Sequence, residues 1–276
     1  MKVFGKVILA GEHAVVYGKM ALATSISLGL SVRVVEKGES AKNPVIEKAI
    51  EVAGGNENIQ VKITSELPIG SGLGSSAAIS AATIKAVREY LGKLIEKDEL
   101  FELTMECEKL AHGNPSGIDA ATVVYGGLIG FVKGKPIEKL KIKRPLKLLL
   151  VDSGKPSETT KEMVELVAEN QDKDIVIEQI GKITELVKSK LILGEEIGQL
   201  LNENGLLLEK LGVVGEKAKK LSNELRMEGA SVKITGAGGV KIGSGMMIVT
   251  HEDLTQIKKL LNNKKINYFE TEIGTK

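Results

Sequence analysis

The sequence predicts an α+β protein in two parts, and three observations carry that expectation. The first half mixes period-2 strands with two or three helices. Residues 158 to about 228 hold long helical patterns with few strand signals. From 231 onward the chain reads strand, strand, helix, strand, which is the tail of an α+β sandwich. The turn residues of DSGKPS place a boundary near Gly154, giving parts 1–153 and 154–276.

Each element has a local reason. Residues 1–9 and 21–36 are β-rich, and in the second Ser31, Arg33 and Glu36 stand against Val32, Val34 and Val35. Residues 43–52 read as a short helix. Ile59, Val61 and Ile63 alternate with Gln60, Lys62 and Thr64, the mark of a half-buried strand. After LPIGSGLG come helices over 75–91 and 99–111, the first with Ser75 or Ser76 as its cap. Residues 122–132 and 146–151 look like strands. EIGQLLNENGLLLEKLG (196–212) typifies the helical stretch that follows. SVKIT (231–235), a glycine-rich loop, GMMIVT (245–250), a helix to about Leu261 and a strand near 266–273 complete the chain.

Composition narrows the function classes. The 276 residues are 42% hydrophobic and 27% charged, ordinary for a globular protein. With no Trp and 3% aromatics the core must be aliphatic. A formal net charge of +2 gives no reason to expect a nucleic-acid or membrane-surface partner. KKLLNNKK (258–265) reads as solvated helix ends and a turn. Cys107 is the sole cysteine, so neither an internal disulfide nor a cysteine-based zinc site can form. MKVFGKVILAGEH lacks the apolar run of a signal peptide, and no stretch reaches the roughly 20 apolar residues of a membrane span. A soluble cytoplasmic protein is expected.

Four segments carry chemistry. LPIGSGLGSSAAIS places Gly70, Gly72 and Gly74 on alternate positions before a strong helix. Such a loop can present backbone N–H groups and a helix N-terminus to an anion, or can be an ordinary Gly/Ser turn. It is neither G-x-G-x-x-G nor a Walker A loop. GKVILAGEHAVVYG (5–18) puts Lys6 in an apolar strand and follows it with Glu12 and His13; alone, these suit an edge charge and a turn histidine. On the helix before HGNPSGIDAA, Leu100, Leu103, Cys107, Leu110 and Ala111 share an arc with Phe101 at its margin, and Glu108 projects between them toward the interior. A buried carboxylate is paired or binds a metal, so a structural ion pair is the plain alternative. GNPSGID (113–119) ends a rigid turn on Asp119, suited to a general base or to an Asx turn.

Together these segments resemble the GHMP small-molecule kinases, on the mevalonate kinase branch. GKVILAGEHAVVYGKMALA (5–23), LPIGSGLGSSAA (67–78) and HGNPSGIDAATVVYGG (112–127) carry the match, and KITGAGG (233–239) matches the start of the C-terminal glycine motif. The blocks lie in family order from one end of the chain to the other. Departures are Phe4 where the family has proline, and Val240, Lys241 and Ile242 interrupting the last motif.

The resemblance implies a two-domain fold, an N-terminal domain like ribosomal protein S5 and a ferredoxin-like C-terminal α/β sandwich. It implies ATP- and Mg²⁺-dependent phosphorylation of the 5-hydroxyl of mevalonate. Pro68, Ile69, Gly70, Ser71, Gly72, Leu73, Gly74, Ser75 and Ser76 would wrap the ATP phosphates. Ser76 and Glu108 would be Mg²⁺ ligands, Asp119 the base, and Lys6 its partner in lowering the hydroxyl pKa or stabilising charge. Glu12, His13, Asp119, Thr160, Gly236 and Ala237 would lie on the substrate side. A homodimer is compatible with the resemblance. A kinase of the same fold for phosphomevalonate, a sugar or homoserine is the nearest alternative. A catalytically dead binding module is another, against which the full set Lys6, Ser76, Glu108 and Asp119 argues.

Overall fold

The computed structural model describes residues 2–35, 43–68, 70–113 and 115–274. Its first sheet is organised by β2 (Ala21–Val35), whose 15 residues pair antiparallel with β1 (Lys2–Ala10) along one edge. The other edge of β2 takes β3 (Gln60–Ser65) at one end and β4 (Leu128–Phe131) at the other, with β5 (Glu138–Leu140) beyond β4. Four helices accompany this sheet: α1 (Pro44–Val52), α2 (Ser75–Tyr90), α3 (Lys97–His112) and α4 (Ile118–Tyr125). The Asn43 side chain accepts from Val45 N–H at 2.9 Å and Pro44 opens the first turn, so α1 starts where cap chemistry directs.

The second sheet is antiparallel in the order β7 (Ser231–Ile234), β8 (Met246–Thr250), β6 (Leu146–Asp152), β9 (Tyr268–Ile273). Around it lie α5 (Thr160–Glu169), α6 (Lys173–Leu193), α7 (Gly198–Lys210), α8 (Glu216–Met227) and α9 (Leu254–Asn263). Strand β6 is central and buried on both faces. Leu149 and Val151 pack with Val167, Val176 and Leu225 of the surrounding helices. Leu148 and Leu150 point the other way, into a cluster that reaches Val7 and Leu9 of β1. That is why LKLLLVD shows an apolar run rather than alternation. It also means that β6, which precedes the boundary drawn near Gly154, hydrogen-bonds into the second sheet, and that one aliphatic core joins the two sheets.

Three local expectations are corrected. Residues 122–125, read as the start of a strand, are the end of α4. The β-branched Thr122, Val123 and Val124 favour strand locally, but Ala120, Ala121, Thr122 and Val124 bury together in helical form and Thr122 Oγ1 donates to Ile118 O at 2.7 Å. On α3 the buried residues are Leu100, Thr104, Cys107 and Glu108, while Leu110 is 56% exposed. The buried face is therefore rotated toward Glu108, which lies within it rather than beside it. Helix α2 is capped by Gly74 in the left-handed conformation, with no serine side chain bonded to its first turn. Among the described residues no helix is long and apolar enough to cross a membrane. Cys107 is a free buried thiol whose pKa burial pushes up to about 11.

The turn between β1 and β2 is strained. His13 adopts φ 59° with ψ −42°, which few non-glycine residues take, at the centre of a tight turn closed by Ala14 N–H donating to Glu12 O at 2.6 Å, just before a 3-10 turn over Ala14–Tyr17. Its ring is 5% exposed and its Nε2 lies 3.0 Å from the Ala237 carbonyl oxygen, so Nε2 carries the proton and Nδ1 is left as an acceptor. Burial lowers the imidazole pKa to about 4, against a partial opposing effect of that hydrogen bond.

A base with a depressed folded pKa is protonated first in the unfolded chain. Stability associated with His13 is thus complete above about pH 6.5 and is lost as pH falls toward 4. Asparagine is among the non-glycine residues most often found at positive φ, and it does not titrate. In urea titrations at pH 7 and pH 5, His13→Asn should lose about 2 kcal/mol less than wild type between the two. Identical losses would show that His13 does not titrate as its burial requires.

Candidate active site

The glycine loop is stitched between the two sheets. Lys6 N–H donates to Leu73 O at 3.0 Å on one side, and Met246 N–H donates to Ser71 O at 2.9 Å on the other. The register of β1 against β2 shifts between Phe4 and Lys6, freeing the Lys6 amide for this contact. Two glycines are required by close approach. A β-carbon on Gly72 would lie 2.5 Å from Thr235 O, and one on Gly74 would lie 2.8 Å from Lys6 Cγ; both residues have positive φ. The loop is packed in place, and it delivers the chain straight into α2.

Two adjoining cavities flank the loop. The smaller, about 120 Å³, is lined by Lys6, Glu12, His13 and Glu108 among others. The larger, about 240 Å³, is lined by Gly70, Gly74, Ser75, Ser76 and Glu158 among others. Asp119, Thr160, Gly72, His112 and Ala237 line both, so they form the partition.

The charged groups converge on that partition. Lys6 Nζ is 2.9 Å from Asp119 Oδ1 and donates to Gly72 O at 3.0 Å. Lys6 is 1% exposed, whereas the Asp119 side chain keeps 37%. Asp119 occupies the first turn of α4, where the helix dipole favours a carboxylate. Ser76 Oγ donates to Glu108 Oε1 at 2.6 Å, and His112 Nε2 is 3.8 Å from Glu108 Oε2. Burial raises the Glu108 pKa, and the Ser76 hydrogen bond works against it. Glu12 is ion-paired to Lys233, and both are buried. Burial raises the Glu12 pKa and lowers that of Lys233, with their mutual attraction opposing each shift.

The residues singled out from the sequence fall into distinct places. Lys6, Glu12, His13, Gly70, Gly72, Gly74, Ser75, Ser76, Glu108, Asp119, Thr160, Gly236 and Ala237 all line one or both cavities. Ser71 turns its hydroxyl back on Pro68 O at 2.8 Å, and Leu73 is fully buried, so Pro68, Ser71 and Leu73 hold the loop from behind. Ile69 lies outside the described residues. Thr160 begins α5, but the cap is Thr159, in a reciprocal capping box with Glu162.

Sequence reasoning missed several neighbours. Lys233 is fully buried beneath Glu12, and Thr235 Oγ1 accepts from Ile8 N–H at 2.8 Å. Glu158 Oε1 accepts from Val240 N–H and Lys241 N–H at 3.1 and 2.9 Å, anchoring the segment that interrupts the last glycine motif. Lys155 lies over the glycine loop: a β-carbon on Gly70 would be 2.8 Å from its Cε and 3.4 Å from its Nζ. A lysine between Val232 and Ile234 in SVKIT was the one visible signal. The others depend on chain segments that meet only in the fold.

The comparisons with known proteins agree with this arrangement. The family described as GHMP kinases N terminal domain matches residues 40–127. A mevalonate kinase of Archaeoglobus fulgidus is 35% identical over 256 residues, spanning 85% of this chain and 87% of its own. The crystal structure of the Methanococcus jannaschii mevalonate kinase superposes with a TM-score of 0.83 at 27% identity, over 99% of this chain and 97% of that one. L. major mevalonate kinase, solved in complex with R-mevalonate, shares the fold with a TM-score of 0.84 at 22% identity, over 99% and 94% of the two chains. With Lys6, Ser76, Glu108 and Asp119 gathered around one cleft, the chain belongs to the GHMP kinases, in the mevalonate kinase family.

Proposed function

We infer that this protein transfers the γ-phosphoryl group of ATP to the 5-hydroxyl of mevalonate, forming 5-phosphomevalonate for isoprenoid precursor synthesis. The observation that carries this reading is the Lys6–Asp119 pair, 2.9 Å apart on the partition between a small cavity and a larger one. A small alcohol in the first and a triphosphate in the second would meet at that pair. The larger cavity offers what a triphosphate needs, the glycine loop and the start of a 16-residue helix. The smaller is floored by the Gly-Glu-His segment shared in sequence with the mevalonate branch.

Phosphoryl transfer asks a protein mainly for position and charge compensation. Asp119 is placed to accept the proton of the attacking hydroxyl, and its exposed edge leaves room for that alcohol. Lys6 holds Asp119 in orientation, ties it to the Gly72 carbonyl, and places a buried positive charge beside the oxygen as it becomes nucleophilic. His13 stays neutral at physiological pH and offers Nδ1 as an acceptor on the alcohol side.

The Ser76 hydroxyl and the Glu108 carboxylate fit Mg²⁺, being hard oxygen donors held 2.6 Å apart at the start of α2. Among the described residues no cluster of three or more His, Cys, Asp or Glu forms a metal cage. That suits an ion that keeps several waters and takes its remaining ligands from substrate phosphates. When bound, the ion would neutralise charge on the β- and γ-phosphates. Lys155 would add a cation over the loop, where Asp119, Glu108 and Glu158 otherwise leave the protein's own charge negative.

A coupled ADP-release assay across mevalonate, phosphomevalonate, homoserine and galactose tests the reading; turnover should appear with mevalonate. Activity with galactose alone, or with none of the four, overturns it. Asp119→Asn should lower kcat by about 10²- to 10⁴-fold with little change in either KM, whereas His13→Asn should act chiefly on the KM for mevalonate. Equal kcat losses at unchanged KM in both variants would contradict these roles. Lys155→Gln should raise the KM for ATP by about three- to tenfold at low salt, with the difference shrinking as ionic strength rises. A matching rise in the KM for mevalonate would place Lys155 elsewhere.

A further inference from the structure

The ion pair beneath the smaller cavity is incomplete on one side only. Lys233 is 1% exposed, and its ammonium has three acceptors: Ile8 O at 3.1 Å, Ile234 O at 2.7 Å and Glu12 Oε1. An ammonium has three hydrogens to donate, so Lys233 is saturated. Glu12 is also 1% exposed, yet its second oxygen, Oε2, is buried with no hydrogen-bond partner among the described residues. Glu12 lines the smaller cavity beside Lys6, His13 and Asp119. A buried carboxylate oxygen without a donor is expensive, and proteins retain such groups where a ligand completes them.

Resting on the function proposed above, the chemistry of the substrate says which donor this is. Mevalonate carries a primary 5-hydroxyl, a tertiary 3-hydroxyl and a carboxylate. The 5-hydroxyl is committed to Asp119. The carboxylate has no proton to give at neutral pH and would be repelled by Glu12. The tertiary hydroxyl is the one donor left.

We propose that Glu12 and Lys233 are a specificity-determining pair, in which Lys233 aims the unpaired oxygen of Glu12 into the cavity to accept a hydrogen bond from the 3-hydroxyl. Lys233 is a positioning residue and touches no reacting atom. Its bond to Ile8 O, together with the Thr235 bond to Ile8 N–H, also ties the floor of the cavity to the strand that bears Lys6. Removing Lys233 alone strands a buried acid, so a paired apolar replacement is the cleaner perturbation.

The test compares mevalonate with 5-hydroxy-3-methylpentanoate, which lacks only the tertiary hydroxyl, in wild type, Lys233→Met and Glu12→Leu/Lys233→Met, with thermal unfolding to verify folding. Wild type should prefer mevalonate in kcat/KM by about 10- to 100-fold, the range of a hydrogen bond to a charged group. The double variant should discriminate by no more than about threefold while its KM for ATP stays put. Lys233→Met should shrink the preference as well. A wild type indifferent to the missing hydroxyl overturns the inference without any variant having to fold. So does a double variant that keeps the full preference, or a Lys233→Met enzyme slowed equally on both alcohols. A wild type that turns over neither alcohol would instead overturn the functional reading, and this inference with it.

Discussion

The structure depends on one seam, the glycine loop held between the first and second sheets. It must give its Leu73 carbonyl to β1 and its Ser71 carbonyl to β8 while passing under Thr235. The Thr235 backbone leaves no room for a side chain at Gly72, and the Lys6 side chain leaves none at Gly74. Pinned at Ser71 and Leu73, the loop has the fixed backbone that the function proposed above asks of an anion site formed with the start of α2. The same seam sets the distance between Lys6 on β1 and the segments carrying Asp119 and Thr235. Loosening it would disperse the site without altering a single charged residue.

Burial gives the charges in this seam their character. Lys6 and Lys233 are both withdrawn from solvent, and each is accompanied by a carboxylate and by backbone carbonyls. The two pairs differ in the way that matters. Asp119 keeps solvent access, whereas Glu12 is shut in, with one oxygen on Lys233 and the other unpaired among the described residues. In the roles proposed above, two lysine–carboxylate pairs in one cleft separate into a reacting pair and a recognising pair, by exposure rather than by residue type.

Much of this was legible in the sequence because close backbone contacts leave marks there. Alternate glycines at 70, 72 and 74 record the seam, and Gly117 before Ile118–Asp119 records the left-handed entry to α4. Period-2 alternation located β3, and residues 43–52 read as the short helix that the Asn43 cap starts in the structure. What the sequence concealed was decided by tertiary packing. Residues 122–125 have strand-forming side chains but bury as a helix, and α3 turns Glu108 inward at the expense of Leu110 because its partner surface is polar at Ser76. β6 joins the second sheet because Leu148 and Leu150 complete the core beneath β1, a pairing no local pattern announces. Lys233 showed in the sequence only as a lysine within a strand, which ordinarily faces water, so its burial had to come from packing.

The bonds from Ile8 to Thr235 and Lys233 also have a bearing on how the chain is built. They join positions 227 and 225 apart in sequence, so the strand holding Lys6 emerges from the ribosome long before its partners exist. Contacts of such long range are among the last that a folding chain can close, because loop closure comes before any reward. A nascent chain could form β1, β2 and α2 early and still hold nothing able to grip an alcohol. The floor of the smaller cavity would close only when β7 docks on β1.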